Sequence, residues 1–220
     1  MGKVEGFIVT TVGILGVTHD EGLRQKYNLT LDVIKELILE FEPDVICGEV
    51  LPSSWEQYQQ DSSHRGYWGE PASEYWDLIF PLCEEKKYEF VPIDWVELDV
   101  WNDFDPFHSY GELQKQQLNA ELDEWFERQL STWASGSIPL NSAAYDRVTK
   151  EKYEWLERIN PQAHLLRWVC RHLIMNQRIK NAIGQHAGKR LLCIVGADHN
   201  HALYEGLAPV KDIQLVYPLR

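Results

Sequence analysis

Basic residues are scarce in this chain. Against 34 Asp and Glu, its 220 residues carry 21 Lys and Arg, a formal net charge of −13. No Lys/Arg-rich run offers a surface that tracks phosphates, so nucleic acid is not an expected partner. The acidic excess reads as a solvated surface, part of which could be carboxylates collected around a cation. Cysteine is sparse as well: Cys47, Cys83, Cys170 and Cys193 are scattered, form no C-x-x-C pair and mostly sit in apolar runs. That pattern predicts buried reduced thiols in preference to disulfides or a zinc site. No run reaches the roughly 18–20 apolar residues of a membrane span, and Glu5 interrupts an opening that would otherwise suit a signal peptide. A cytoplasmic protein with no membrane partner is expected. Gly-rich phosphate loops and the Gly-x-Ser-x-Gly elbow are also missing, which argues against nucleotide-driven and serine-hydrolase chemistry.

What is present is enough for a full core. With 44% hydrophobic and 12% aromatic residues, and only 14 Gly and 10 Pro, the composition excludes disordered, collagen-like and linker-dominated chains. The length suits one α/β domain, residues 1–220, carrying a helical insertion. Two apolar, β-rich runs, 6–12 and 13–17, read as a strand with a possible hairpin partner before it. Apolar residues at 31, 34, 37, 38 and 41 have the helical period, with Thr30 placed to cap and Pro43 to close. A short apolar run over 44–49 completes a βαβ unit, whose strands must be parallel. Helices are expected over 52–60 and 71–87, and a third strand over 88–94.

After Asp94 the alternation breaks. Residues 95–187 read as a helical insertion or cap, beginning with an acidic, aromatic stretch to Tyr110 that could wall a crevice or seam the insertion onto the domain. A long helix over 111–133 carries Leu118, Leu122, Trp125, Phe126, Leu130 and Trp133 on one stripe, read as core. Strand, short helix and strand then follow over 190–195, 200–207 and 212–217. The expected fold is α/β: a mostly parallel central sheet flanked by helices, with the insertion between the third and fourth parallel strands.

The carboxyl ends of these strands each offer a ligand-type side chain. The first ends Gly16-Val17-Thr18-His19, the second Gly48-Glu49, the third Ile93-Asp94 and the fourth Gly196-Ala197-Asp198-His199. In open parallel sheets the crevice lies outside these ends, so residues 180 positions apart in the chain can meet there. Glycine ahead of each histidine would let the backbone turn sharply and approach a site unobstructed. Two imidazoles with one or two carboxylates suit a borderline divalent cation, with positions left open for water that the cation acidifies. Taken singly, each residue is more often a helix cap or a hydrogen-bonded structural histidine than a ligand; their joint placement on successive strand ends is what points to a site.

The segment Gly16-x-x-His19, then a helix, then Pro43-Asp44-Val45-Ile46-Cys47-Gly48-Glu49 resembles the opening signature of the TraB/PrgY/GumN/TIKI superfamily. Residues 176–183, followed by Ile194-Val195-Gly196-Ala197-Asp198-His199, resemble its closing signature. The likeness covers the first and last 50 or so residues, on the order of half the chain. It implies a fold of the erythromycin esterase-like and ChaN-like group, with metallopeptidase activity dependent on Mn or Co in some members and haem or small-ligand binding in ChaN-like ones. By that likeness His19, Glu49 and His199 stand at active-site positions, and Asn176 at an asparagine of the late helix. Two positions differ from the pattern: Met175 stands where an arginine precedes that asparagine, with Arg178 the nearest substitute, and Trp95 stands where a basic residue follows the third-strand aspartate.

Together these readings predict a divalent-metal-dependent hydrolase of an amide or ester bond in a small-molecule or peptide substrate. His19, Glu49 and His199 would surround a Mn, Co or Zn ion, with Asp94 as fourth ligand or as the carboxylate that orients an imidazole. Glu49 would be the general base if it stays off the metal. Asn176 or Arg178 would stabilise the oxyanion, although Asn176, in line with His172, Ile179 and Ile183, is read equally well as a core amide bonded to backbone. The alternative is a non-catalytic haem- or small-ligand-binding protein using the same crevice. His201 and the histidines at 64, 108, 164 and 186 are read as solvated.

Overall fold

The computed structural model describes residues 9–134 and 137–219. Five strands, β1 (Thr10–Val17), β2 (Val45–Gly48), β3 (Glu89–Pro92), β4 (Arg190–Gly196) and β5 (Ile213–Val216), form one sheet in the order β3-β2-β4-β1-β5. Every pairing is parallel. The α/β architecture expected from the alternating pattern is therefore the one adopted. One expectation fails: β1 runs unbroken through Gly13, with β4 on one side and β5 on the other, so the apolar runs do not form a hairpin there. Residues 1–8, which include the first three of the earlier run, lie outside the described residues.

Parallel strands need cover on both faces, and their alternate side chains feed two separate cores. Leu15, Val17, Ile46, Leu192 and Ile194 pack against α2 (Leu31–Phe41) and α4 (Phe80–Lys86). Val12, Ile14, Val45, Cys47, Cys193 and Val195 pack against α8 (Arg171–Gln185) and α9 (Asn200–Leu207). The start of α2 is set as expected, with the Thr30 hydroxyl accepting from the Val33 amide. Helix α3 spans Pro52–Gln60, as its composition indicates. A short helix that the sequence reading lacked, α1 (Glu21–Lys26), follows β1 and is capped by Asp20.

The insertion between β3 and β4 is helical and holds α5 (Glu112–Leu130), α6 (Ala143–Ile159) and α7 (Pro161–His164), which leads into α8. It has a small core of its own from Phe107, Leu118, Tyr153, Trp155 and Leu156. The stripe on α5 is core only in part: Leu118 is buried, whereas Phe126 is 42% and Trp133 38% exposed. Phe126 faces a cavity instead. Two stretches are wound as π-helix, Tyr75–Ile79 ahead of α4 and Leu165–Cys170 ahead of α8. Among the described residues no helix is long and apolar enough to cross a membrane.

Candidate active site

Strand order explains why distant residues meet. β4 lies between β2 and β1, so the segments leaving these three carboxyl ends are neighbours about 4.8 Å apart. Glu49 follows β2, His199 follows β4 and His19 follows β1. The Glu49 carboxylate is the centre of the cluster. Its Oε1 lies 3.1 Å from His199 Nε2 and its Oε2 3.6 Å from His19 Nε2, while Oε2 also accepts the Gly196 amide at 2.6 Å.

The glycines matter here for space. Gly196 has an ordinary negative φ of −54°, so it is not required for a left-handed turn. A Cβ at this position would stand 3.1 Å from His19 Nε2 and 3.3 Å from Glu49 Oε2, inside the cluster itself. At Gly16 a Cβ would collide with the Asn200 side chain. The expected role, allowing close approach, holds for both; the sharp turn is unnecessary.

Each imidazole is oriented from behind. His19 Nδ1 donates to Glu74 Oε1 at 2.5 Å, and Glu74, fully buried, is held in turn by Arg24 Nη1 at 3.1 Å. Glu74 is aligned by the π-helical stretch that begins with the next residue, and Tyr75 itself bridges Glu49 N–H and the Ile194 carbonyl. His199 Nδ1 shares a proton with His172 Nε2 at 2.7 Å. A proton on His199 Nδ1 leaves the neutral ring's Nε2 bare and facing Glu49.

A guanidinium completes the site. Arg171 Nη2 donates to Glu49 Oε1 at 2.7 Å and to Asp94 Oδ2 at 2.9 Å, while Arg171 Nε donates to Asp94 Oδ1 at 2.6 Å. Nη1 makes no hydrogen bond among the described residues. The charges alternate along one chain of contacts: Arg24, Glu74, His19, Glu49, Arg171, Asp94. Burial alone would push Glu49 up, but the neighbouring charges of His199 and Arg171 hold it well below the ordinary carboxylate range. Burial opposes a proton on His19, and hydrogen bonds to Glu49 and Glu74 outweigh it, raising that imidazole above its usual value. His172 moves the other way, pushed down to about 2 by burial and by the positive neighbours His199 and Arg171.

Several expected residues take other positions. Asp94 is at the site's edge, but both its oxygens are bonded to Arg171, so it serves that arginine before any cation. Arg178 does not reach the crevice: its guanidinium donates to the Asp94 backbone carbonyl. Asn176 is 7% exposed and donates to the His172 and Ala202 carbonyls, stapling α8 to α9 away from the cavities. Neither is placed to meet an oxyanion. Met175 is fully buried in the core, and the guanidinium at the site comes from Arg171, one helical turn earlier. His201 is half-buried against Tyr153 and His172, where a solvated residue was expected. His164 also packs, on Tyr153 and Trp168.

The insertion is tied to the sheet just beyond the site. Lys152, 2% exposed, donates to Asp198 Oδ2 at 2.5 Å and to Gln129 Oε1 at 2.9 Å. Gln129 and Tyr145 donate to Asp198 Oδ1 at 2.7 and 2.9 Å. Asn141 clamps the end of β1 by both Gly16 backbone groups, at 2.7 and 2.8 Å.

As they stand, no three His, Cys, Asp or Glu side chains among the described residues form a ready-made metal cage. The donors nonetheless fit a divalent cation in kind and aim. Two Nε2 atoms face one carboxylate over a residue without a side chain, and the Nδ1 of one imidazole is held by a carboxylate in the manner that orients metal-binding histidines. No family model, curated protein or solved structure matches the chain, so the superfamily likeness rests on the motif residues already quoted.

Proposed function

We propose that the protein is a hydrolase of amide or ester bonds that works with a divalent cation, Mn, Co or Zn, held by His19, Glu49 and His199. The observation that carries this reading is the convergence of both imidazole Nε2 atoms on Glu49, at 3.1 and 3.6 Å. A cation there supplies an acidified water and a polarised carbonyl. Glu74 fixes which nitrogen of His19 faces the site, and His172 lets His199 present a bare Nε2. Where Glu49 stays off the cation it is the proton acceptor of choice, because it alone among the carboxylates touches both histidines. Its proton affinity is held low by the charges of His199 and Arg171. Arg171, with Nη1 uncommitted, takes the oxyanion role that the sequence reading assigned to Asn176 or Arg178.

The test is equilibrium binding of Mn, Co and Zn to protein freed of metal, with a screen of peptide and ester substrates. His19→Ala and His199→Ala should each abolish stoichiometric binding with the circular dichroism spectrum kept; unchanged binding in both removes the metal reading. If Glu49 stays off the cation and acts as the general base, Glu49→Gln should retain the metal and lose at least about a hundredfold in turnover, the usual size of such a contribution. Loss of metal in that variant instead makes Glu49 a ligand only. A crevice that holds a haem or small ligand without turnover is favoured by one observation, the compensation of Glu49 and Asp94 by Arg171. Metal-loaded protein inert toward every substrate would decide for it.

A further inference from the structure

Two cavities meet at the cluster. The larger, about 530 Å³, has Phe126, Leu130, Leu140 and Trp168 among its walls; the smaller, about 330 Å³, has Leu51, Trp68, Val96 and Trp101. The residues common to both linings are His19, Glu49 and Arg171. A group reacting at this junction thus has space to either side of it, and each space is walled mainly by aliphatic and aromatic side chains. Charge narrows the choice of occupant. Glu127 and Asp198 join Glu49 in the larger lining, and Glu70 and Asp94 in the smaller. Arg171 is the lone Lys or Arg in either lining, and it is already bonded to Glu49 and Asp94.

We propose that the substrate is an extended, uncharged or cationic amide or ester with a bulky apolar group on each side of the scissile bond, one group filling each cavity. This rests on the hydrolase reading for the bond's identity, but the two-sided recognition stands on the two cavities' volumes and linings alone. An anionic group in either arm would meet Glu127 or Glu70 beside carboxylates whose own cations, Lys152 for Asp198 and Arg171 for Glu49 and Asp94, already serve them. A substrate with one apolar arm would leave the other cavity's walls wet and gain nothing from them.

The experiment is calorimetric binding to the full chain with no metal added, using ketomethylene isosteres of capped dipeptides, which cannot be hydrolysed. A Phe–Leu isostere should bind at least about tenfold more tightly than Gly–Leu and Phe–Gly isosteres, the size expected from burying one large apolar side chain, and more tightly than a Glu–Glu isostere. Phe126→Ala and Trp68→Ala alter exposed residues (42% and 60% accessible). Each should weaken the Phe–Leu isostere severalfold, and each should spare a different one of the two single-armed isosteres. Equal binding across the series, tighter binding of the Glu–Glu isostere, or variants that act on the same single-armed ligand would overturn the proposal, and the ligand series on the unmodified protein stands even if a variant misfolds. Selective binding without turnover of the matching amide leaves the two-sided recognition intact and removes the hydrolase reading. Turnover confined to single-armed substrates does the reverse.

Discussion

Arg171 is the residue on which the site's electrostatics turn. Its side chain is 15% exposed and compensates Glu49 and Asp94, at 6% and 9%. Arg171→Met would leave two buried carboxylates without their cation, so we expect a loss of about 3–5 kcal/mol in urea denaturation. Arg171→Lys should recover part of it, since an ammonium supplies charge without the two-pronged geometry. A loss below about 1 kcal/mol in the Met variant would mean that water or another group compensates those carboxylates. A second residue sets a pH dependence. Burial pushes Asp146 up to about 6, Glu205 adds to this, and the Tyr217 hydroxyl bonded to it at 2.9 Å pulls the other way. Between the ordinary carboxylate value and that one, the folded chain binds more protons than the unfolded, so stability falls as pH rises through roughly 4 to 6. Asp146→Asn should flatten that slope and gain up to about 1–2 kcal/mol at pH 7, partial solvent access reducing the full effect. An unaltered slope would show that Asp146 is not its source. At this scale the sequence revealed the groups that stand at strand ends, His19, Glu49, Asp94 and His199, because a parallel sheet sends them all to one rim. Arg171, Glu74 and Arg24 were missed because nothing local marks an ion pair whose partners are 50 to 122 positions away.

Elements deliver those missed residues. Glu74 stands immediately before one π-helical stretch and Arg171 immediately after the other. A π turn adds a residue and rotates the helix beyond it, a distortion found often at functional sites. It also breaks the 3.6-residue period from which helix faces are read, and this is the physical reason those side chains could not be assigned a direction beforehand. The boundaries of α3 and α9 were legible because Pro52 and the strand end at Gly196 punctuate them. The α5 stripe was misjudged at Phe126 because apolar spacing reports a buried face and a cavity wall alike. The insertion's attachment is testable at the same scale. Lys152→Met removes the cation that joins α5 and α6 to Asp198, so amide exchange along Glu112–Leu130 should accelerate while β1 and β4 stay protected. Uniform protection in the variant would place the attachment elsewhere, with the Asn141 clamp on Gly16 as the next candidate.

For the whole molecule, the sheet order does what no single motif could. β4 enters last of the three central strands in the chain and lies between the other two, which closes a site from residues at both ends of the sequence. The alternation of strands and helices made the parallel sheet and the insertion foreseeable; the division of the crevice into two cavities was not, because it depends on where the insertion folds back. The central claim is that His19, Glu49 and His199 form one cation site. Its most direct measurement is anomalous diffraction from crystals grown without chelator and soaked in Mn. The account predicts a single strong peak within coordination distance of both histidine Nε2 atoms. A peak only elsewhere, or none at full soak with those imidazoles still facing Glu49, would contradict it.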